Sequence, residues 1–133
     1  MSALILELKQ GESMILNGAV IRFKTRTRLE LNTQARFLFG KQIMREEDAA
    51  TPARRAYFAL QQAYVGAEDE RPAALTTARQ LITSFRDHAP PEHHPEWNAL
   101  LKASETDAGF EALKLARQMI RAEDFATKPL DAH

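Results

Sequence analysis

Arg22, Lys24, Arg26 and Arg28 stand at alternate positions, and the residues between them are Phe23, Thr25 and Thr27. In an extended strand successive side chains point to opposite faces, so this spacing puts four cations on one side, with neighbours about 7 Å apart. That interval is comparable with the phosphate spacing of a stretched single strand, so the chemistry it suggests is charge neutralisation along an RNA backbone. Ile21, Phe23 and Leu29 fall on the opposite face, which predicts a half-buried strand. Lys9, Arg36 and Lys41 are outer members of the same basic region. Phe37 or Phe39 could stack a base, with a core place expected for at least one of them. Two blander arrangements fit the same residues. Cations on an exposed strand guard a sheet edge against stray pairing, and a turn near Thr25 would divide the row between two strands.

Other chemistry finds less support. His88, His93 and His94 surround a double proline with Glu92 and Glu96 nearby, but their spacing matches no closed ligand set, and a polar surface loop is expected. The acid groups Glu46-Glu47-Asp48, Glu68-Asp69-Glu70 and Glu123-Asp124 fall in linkers or at helix ends. There is no Gly-rich phosphate loop and no nucleophile elbow, so neither catalysis nor a cofactor is expected. The absence of cysteine excludes disulfides, thiolate catalysis and zinc–cysteine sites. No apolar run approaches the roughly 20 residues of a membrane span, and no secretory signal is visible, so a cytoplasmic setting is expected.

The formal net charge is zero but unevenly spread. Residues 1–45 hold eight Lys/Arg against three acids, whereas residues 46–133 hold ten against fifteen. One half of the chain is suited to an anion and the other is not. Arg54 and Arg55 are the exception, because cations near a helix N-terminus oppose its dipole. They either pair with acids across the sheet–helix interface or extend the basic face.

The elements that must position these residues follow from periodicity. Strands are predicted at Leu4–Lys9, at Ser13–Leu16, along the basic stretch, which Leu29 and Leu31 either close or follow with a further strand, and at Ala35–Phe39. Asn17-Gly18 is a hairpin signal, because a type I′ turn needs positive φ at both positions. From residue 51 the period becomes helical. Thr51-Pro52 is an N-cap with proline at the first helical position, followed by a stripe of Ala53, Tyr57, Leu60 and Tyr64 that Gly66 ends. A second helix carries Leu75, Ala78, Ile82 and Phe85, and a third carries Trp97, Leu100 and Leu101. A fourth, from about Asp107 to Asp124, carries Phe110, Leu113, Ala116 and Ile120. Its Ala112, Leu115 and Met119 widen the apolar arc, and Ala126–His133 reads as a loose tail. The prediction is an α+β protein with a small antiparallel β unit at 1–44 and about four helices at 51–125. So small a β unit buries little by itself. It must lean on the helices, on a second copy or on both, and a homo-oligomer is expected.

Several stretches together resemble the FlbT family of flagellin post-transcriptional regulators. They are Leu6-Glu7-Leu8-Lys9-Gln10-Gly11-Glu12, Ile15-Leu16-Asn17-Gly18-Ala19-Val20-Ile21, Arg26-Thr27-Arg28-Leu29 and Thr51-Pro52-Ala53-Arg54-Arg55-Ala56-Tyr57-Phe58-Ala59-Leu60-Gln61. The resemblance implies binding to the leader of flagellin mRNA, an effect on its translation and lifetime, and partnership with the small flagellar protein FlaF. It implies no catalytic residues. A weaker likeness links Leu4–Glu12 and Ala35–Ile43 to CsrA-type translational regulators, which are interlocked β dimers. Their Arg-Arg before Gly-Glu is Leu8-Lys9-Gln10 here, so only Lys9 could serve, and the row at 22–28 becomes the candidate RNA face. The rival expectation is an adaptor whose helices bind FlaF or flagellin without RNA contact. It draws on the wide arc of the last helix and on Phe58.

Overall fold

The computed structural model describes residues 4–31, 36–105 and 109–127. Five strands come first: β1 (Leu4–Leu8), β2 (Ser13–Leu16), β3 (Ala19–Arg22), β4 (Thr27–Leu31) and β5 (Phe37–Phe39). Four helices follow: α1 (Pro52–Val65), α2 (Arg71–His88), α3 (His94–Ala103) and α4 (Phe110–Thr127). The α+β architecture is the one the periodicity predicts. The start expected for the last strand at Ala35 and the start of the last helix near Asp107 lie outside the described residues; Ala126 and Thr127, expected in a loose tail, belong to α4, and the rest of that tail lies outside the described residues.

The strands form two sheets, β1–β4 and β3–β2–β5, all pairs antiparallel. Leu4 pairs with Leu31 and Leu8 with Thr27, while Ser13 pairs with Arg22 and Leu16 with Ala19. Both sets belong to one register, so residues 4–31 are a single long hairpin closed at Asn17-Gly18 and bent halfway along. Asn17 (φ 49°) and Gly18 (φ 87°) both have the positive φ that the turn requires.

The bend has a local cause. Glu12 N–H donates to the Lys9 carbonyl at 3.1 Å, and Gly11 between them has φ 88°, the arrangement of a type II turn that favours glycine. Gly11 N–H then donates to Phe23 O at 2.7 Å, while Phe23 N–H donates to Glu12 O at 2.9 Å. Two residues thus oppose one, which is a bulge with glycine at its first position, and bulges bend and twist the ribbon. The Glu12 carboxylate also accepts from Lys9 N–H at 2.7 Å and fixes the corner.

Folding the ribbon over brings its apolar faces together. Leu6, Leu8 and Met14 are buried in one cluster, with Phe23, Leu29, Leu31, Phe37 and Phe39 packed against them. The middle sheet has a second apolar face, because Ile15 and its partner Leu38 pack against the helical core. The β unit therefore leans on the helices through β2 and β5.

The larger core is helical. Tyr57, Leu60, Ile82, Trp97, Leu100 and Leu113 are buried there, and each large apolar side chain so buried contributes about 1.5–3 kcal/mol. α1 lies against both α2 and α4, and α3 bridges the latter two. Thr51 caps α1 through its side-chain oxygen, which accepts from Arg54 N–H, and Pro52 occupies the first helical position as predicted. A long-range contact adds to this cap: Glu123 of α4 accepts from the Thr51 hydroxyl and from Ala53 N–H at 2.8 Å. The carboxylate satisfies an orphan donor of α1 and complements its dipole.

Candidate nucleic-acid interface

The basic row is exposed but not straight. Arg22 ends β3, Lys24 and Arg26 lie in the bend, and Arg28 is in β4 of the other sheet. A single uninterrupted strand is therefore not what forms. The division falls where the positions between the cations lose their apolar residues, at Thr25 and Thr27, and Thr27 Oγ1 donates back to the Thr25 carbonyl at 2.9 Å.

All four cations are nonetheless exposed. Among the described residues none of them forms an ion pair or a side-chain hydrogen bond. Lys9, at the facing corner, shares a shallow depression with Arg26, walled also by Glu7 and Leu8. Arg28 has a mixed setting, with Glu7 directly across the ladder and Glu30 two residues along on the same exposed side. The corner itself carries Lys9, Lys24 and Arg26, with Arg22 at one flank and Arg28 at the other, and Glu7 is the acid beside Lys9 and Arg26. Phe37 and Phe39 stack on each other at 6.3 Å within the small core.

Of the two outer cations, Arg36 lies away from the corner. Arg36 is half buried against the end of α1, its Nη1 3.4 Å from the Ala63 carbonyl and 3.5 Å from that of Tyr64, with its guanidinium over the Tyr64 ring. A cation there complements the negative end of the helix dipole. Arg71 does the same from α2, donating to Gly66 O at 3.0 Å, and reaches the hairpin tip at Asn17. Lys41 is exposed in a 3₁₀ turn at Gly40–Gln42, beside the corner. A Cβ placed on Gly40 would stand 2.9 Å from the Glu12 carboxylate, so that acid joins the ribbon's bend to the Lys41 turn.

That turn is held to α1 by groups that the sequence alone does not reveal. The Tyr57 hydroxyl donates to Gln42 O. The buried Gln61 amide accepts from Met44 N–H at 2.8 Å and donates to Met44 O at 3.0 Å. Arg117 of α4 lies over the Tyr57 ring and donates to its hydroxyl at 2.8 Å.

Arg54 meets the pairing expectation. Arg54 pairs with Asp124 at 2.8 Å and lies 3.9 Å from Glu123, and this hydrogen bond holds the Asp124 carboxyl below its ordinary value while raising that of Arg54. The interface it spans is helix to helix rather than sheet to helix. Arg55 is exposed, with its guanidinium over the Phe85 ring. The histidines are engaged locally: His88 Nδ1–H donates to Ser84 O at 2.8 Å, His94 Nε2–H to Ala89 O at 3.0 Å, and His93 stands 3.3 Å from Glu96. No described helix is long and apolar enough to cross a membrane.

Fold and surface together define a small α+β protein that carries a bent cationic β ribbon on a four-helix unit. The chain belongs to the FlbT family, whose model, described as "Flagellar protein FlbT", matches residues 4–126. A relative from Allorhizobium ampelinum named "Probable flagellum biosynthesis repressor protein FlbT" is 32% identical over 127 residues, covering 92% of this chain and 83% of its own. Relatives of the same name from Brucella ovis and Brucella abortus are 35% and 36% identical over 89 and 84 residues. These alignments cover 65% and 63% of this chain, and the chain spans 59% and 55% of those relatives' length. No solved structure matches. Regulation of flagellum biosynthesis, rather than a known enzymatic activity, is the setting in which this family stands.

Proposed function

We propose that this protein is a cytoplasmic post-transcriptional regulator that binds the leader of flagellin mRNA and alters its translation and lifetime. The observation that carries the reading is the corner of the ribbon, where Lys9, Arg22, Lys24, Arg26 and Arg28 are exposed and, among the described residues, free of ion pairs. Cations without carboxylate partners can exchange their counterions for phosphates, and this exchange supplies most of the affinity for a single strand. The relatives' names favour repression as the direction of the effect. Exposed Val20 (73%) and Ile21 (37%) on the edge strand β3 support assembly with a second copy through that edge. In a gel shift, the purified protein is expected to retard a flagellin leader but not a scrambled RNA of equal length. Equal retardation of both would count against the reading.

The adaptor reading has one observation in its favour. A groove of about 390 Å³ between the end of α2, α3 and the end of α4 is lined by Phe85, Trp97 and Met119, and Phe125 near its end is 83% exposed. Phe58, by contrast, is half buried. In that reading FlaF or flagellin docks on the helices, and reversing the ribbon charges leaves both partner binding and regulation intact.

A further inference from the structure

We infer that the cleft between the Lys41 turn and α4 is a second phosphate site, which continues the RNA track from the ribbon onto the helices. The cleft holds about 280 Å³ and is walled by Lys41, Arg54 and Arg117, with Tyr57 and Ile120 among its lining. That is slightly below the size at which pockets begin to hold drug-sized ligands, and it suits a phosphate with part of its sugar. Asp48 is the carboxylate in the lining, and it is paired with Arg45 at 3.1 Å. Arg54 is offset by Asp124 and Glu123. Lys41 and Arg117 have no carboxylate within 4 Å among the described residues, so two positive charges face the cleft uncompensated.

The geometry is built rather than incidental. Arg117 has its guanidinium carbon 5.4 Å from the centre of the Tyr57 ring and donates to the ring's hydroxyl, and that hydroxyl donates in turn to Gln42 O, next to Lys41. One guanidinium nitrogen is used in this way, and among the described residues the remaining donors have no hydrogen-bond partner, in a group suited to bidentate phosphate recognition. α4 extends the charge, because Lys114, Arg117 and Arg121 recur at helical spacing on one side. Lys41 links this cleft to the corner, since Gly40 lies against the Glu12 carboxylate that fixes the bend. The inference rests on the RNA reading for the identity of its ligand. Its phosphate chemistry can be tested separately.

The test is an NMR titration of the full chain, labelled with ¹⁵N, using inorganic phosphate in one arm and a short single-stranded oligonucleotide in the other. Saturable shifts at the Lys41 and Tyr57 amides and at the Arg117 Nε–H are expected with both, the oligonucleotide binding more tightly. Stronger shifts with inorganic phosphate than with the oligonucleotide would assign the site to a free phosphate and overturn its place in an RNA track. Lys41→Gln, at an exposed position, is expected to weaken both responses at least tenfold and to reduce the salt slope for leader RNA by about 0.7. Arg117→Lys, which keeps the charge but not the fork, should weaken them less. Absence of phosphate shifts in the folded protein overturns the site, whatever the ribbon does. If the ribbon reversal leaves RNA binding intact while the phosphate shifts persist, it is the ribbon reading that fails and the cleft that stands.

Discussion

Replacing Gln61 by leucine removes the two hydrogen bonds that join Met44 to α1, at 2.8 and 3.0 Å, at a site where the side chain is 2% exposed. Both bonds belong to backbone groups of the segment between β5 and α1, so the loss strips one donor and one acceptor at once. Each group left without a partner costs about 1–3 kcal/mol. Leucine recovers a part through its apolar surface, which leaves a net loss of about 2–4 kcal/mol. At roughly 4 °C per kcal/mol for a chain of this length, the melting temperature should fall by roughly 8–16 °C in a circular-dichroism melt. Gln61→Glu sharpens the test. At neutral pH a buried carboxylate would face the Met44 carbonyl, and burial raises its pKa in the folded state. A raised folded pKa means that stability is gained as pH falls toward the unfolded value of about 4.3, because only the protonated acid can donate. A loss under about 0.5 kcal/mol for Gln61→Leu, typical of a surface position, would refute the claim that this amide holds the segment. So would a Gln61→Glu variant that is not stabilised by acid.

Three further outcomes follow from the same contacts. Gly11→Ala meets no neighbour within 4 Å but keeps φ at 88°, so urea unfolding should show a loss of about 1–2 kcal/mol from backbone strain alone. Gly18→Ala combines φ 87° with a Cβ that would lie 3.0 Å from Ala67 N, so its loss should exceed that of Gly11→Ala, and an equal or smaller loss would contradict the packing of the hairpin tip on the α1–α2 junction. Asp124 has its pKa lowered by Arg54, so the stabilisation is present above the unfolded value of about 3.9 and is lost as pH falls through the lower folded value. Arg54→Gln should raise the titration midpoint of the Asp124 carboxyl in an NMR titration and weaken that pH dependence; an unmoved midpoint would contradict the pairing.

The elements were legible where local chemistry decides them. Asn17-Gly18 can be read as a hairpin turn because only a few residues tolerate positive φ, and Thr51-Pro52 as a helix start because cap and proline act within one turn. The bend was harder to read. Phe23, Thr27, Leu29 and Leu31 are partly buried and the cations between them exposed, whereas Ile21, expected on the buried face, is exposed with the rest of β3, so a period of two carries no mark of the change of sheet. The marks that exist are the threonines where apolar residues are missing and Gly11 on the opposite strand. The fates of the outer cations were not legible at all. Arg36 meets carbonyls of Ala63 and Tyr64, and Lys41 shares a cleft with Arg117. No local pattern encodes contacts at such separations. For the same reason Arg54 could be read as either a pairing or a free cation until its partners on α4 were placed.

The ribbon's role in RNA binding is tested most directly by the salt dependence of leader binding, measured by fluorescence anisotropy on the wild type and on a variant with Arg22, Lys24, Arg26 and Arg28 all changed to Glu. Four neutralised phosphates on a single strand predict a log–log slope of about −3 for these residues. The variant should lose leader affinity and most of that slope while retaining its helical signal and melting temperature. A flat salt dependence in the wild type, or undiminished affinity in the variant, would contradict it.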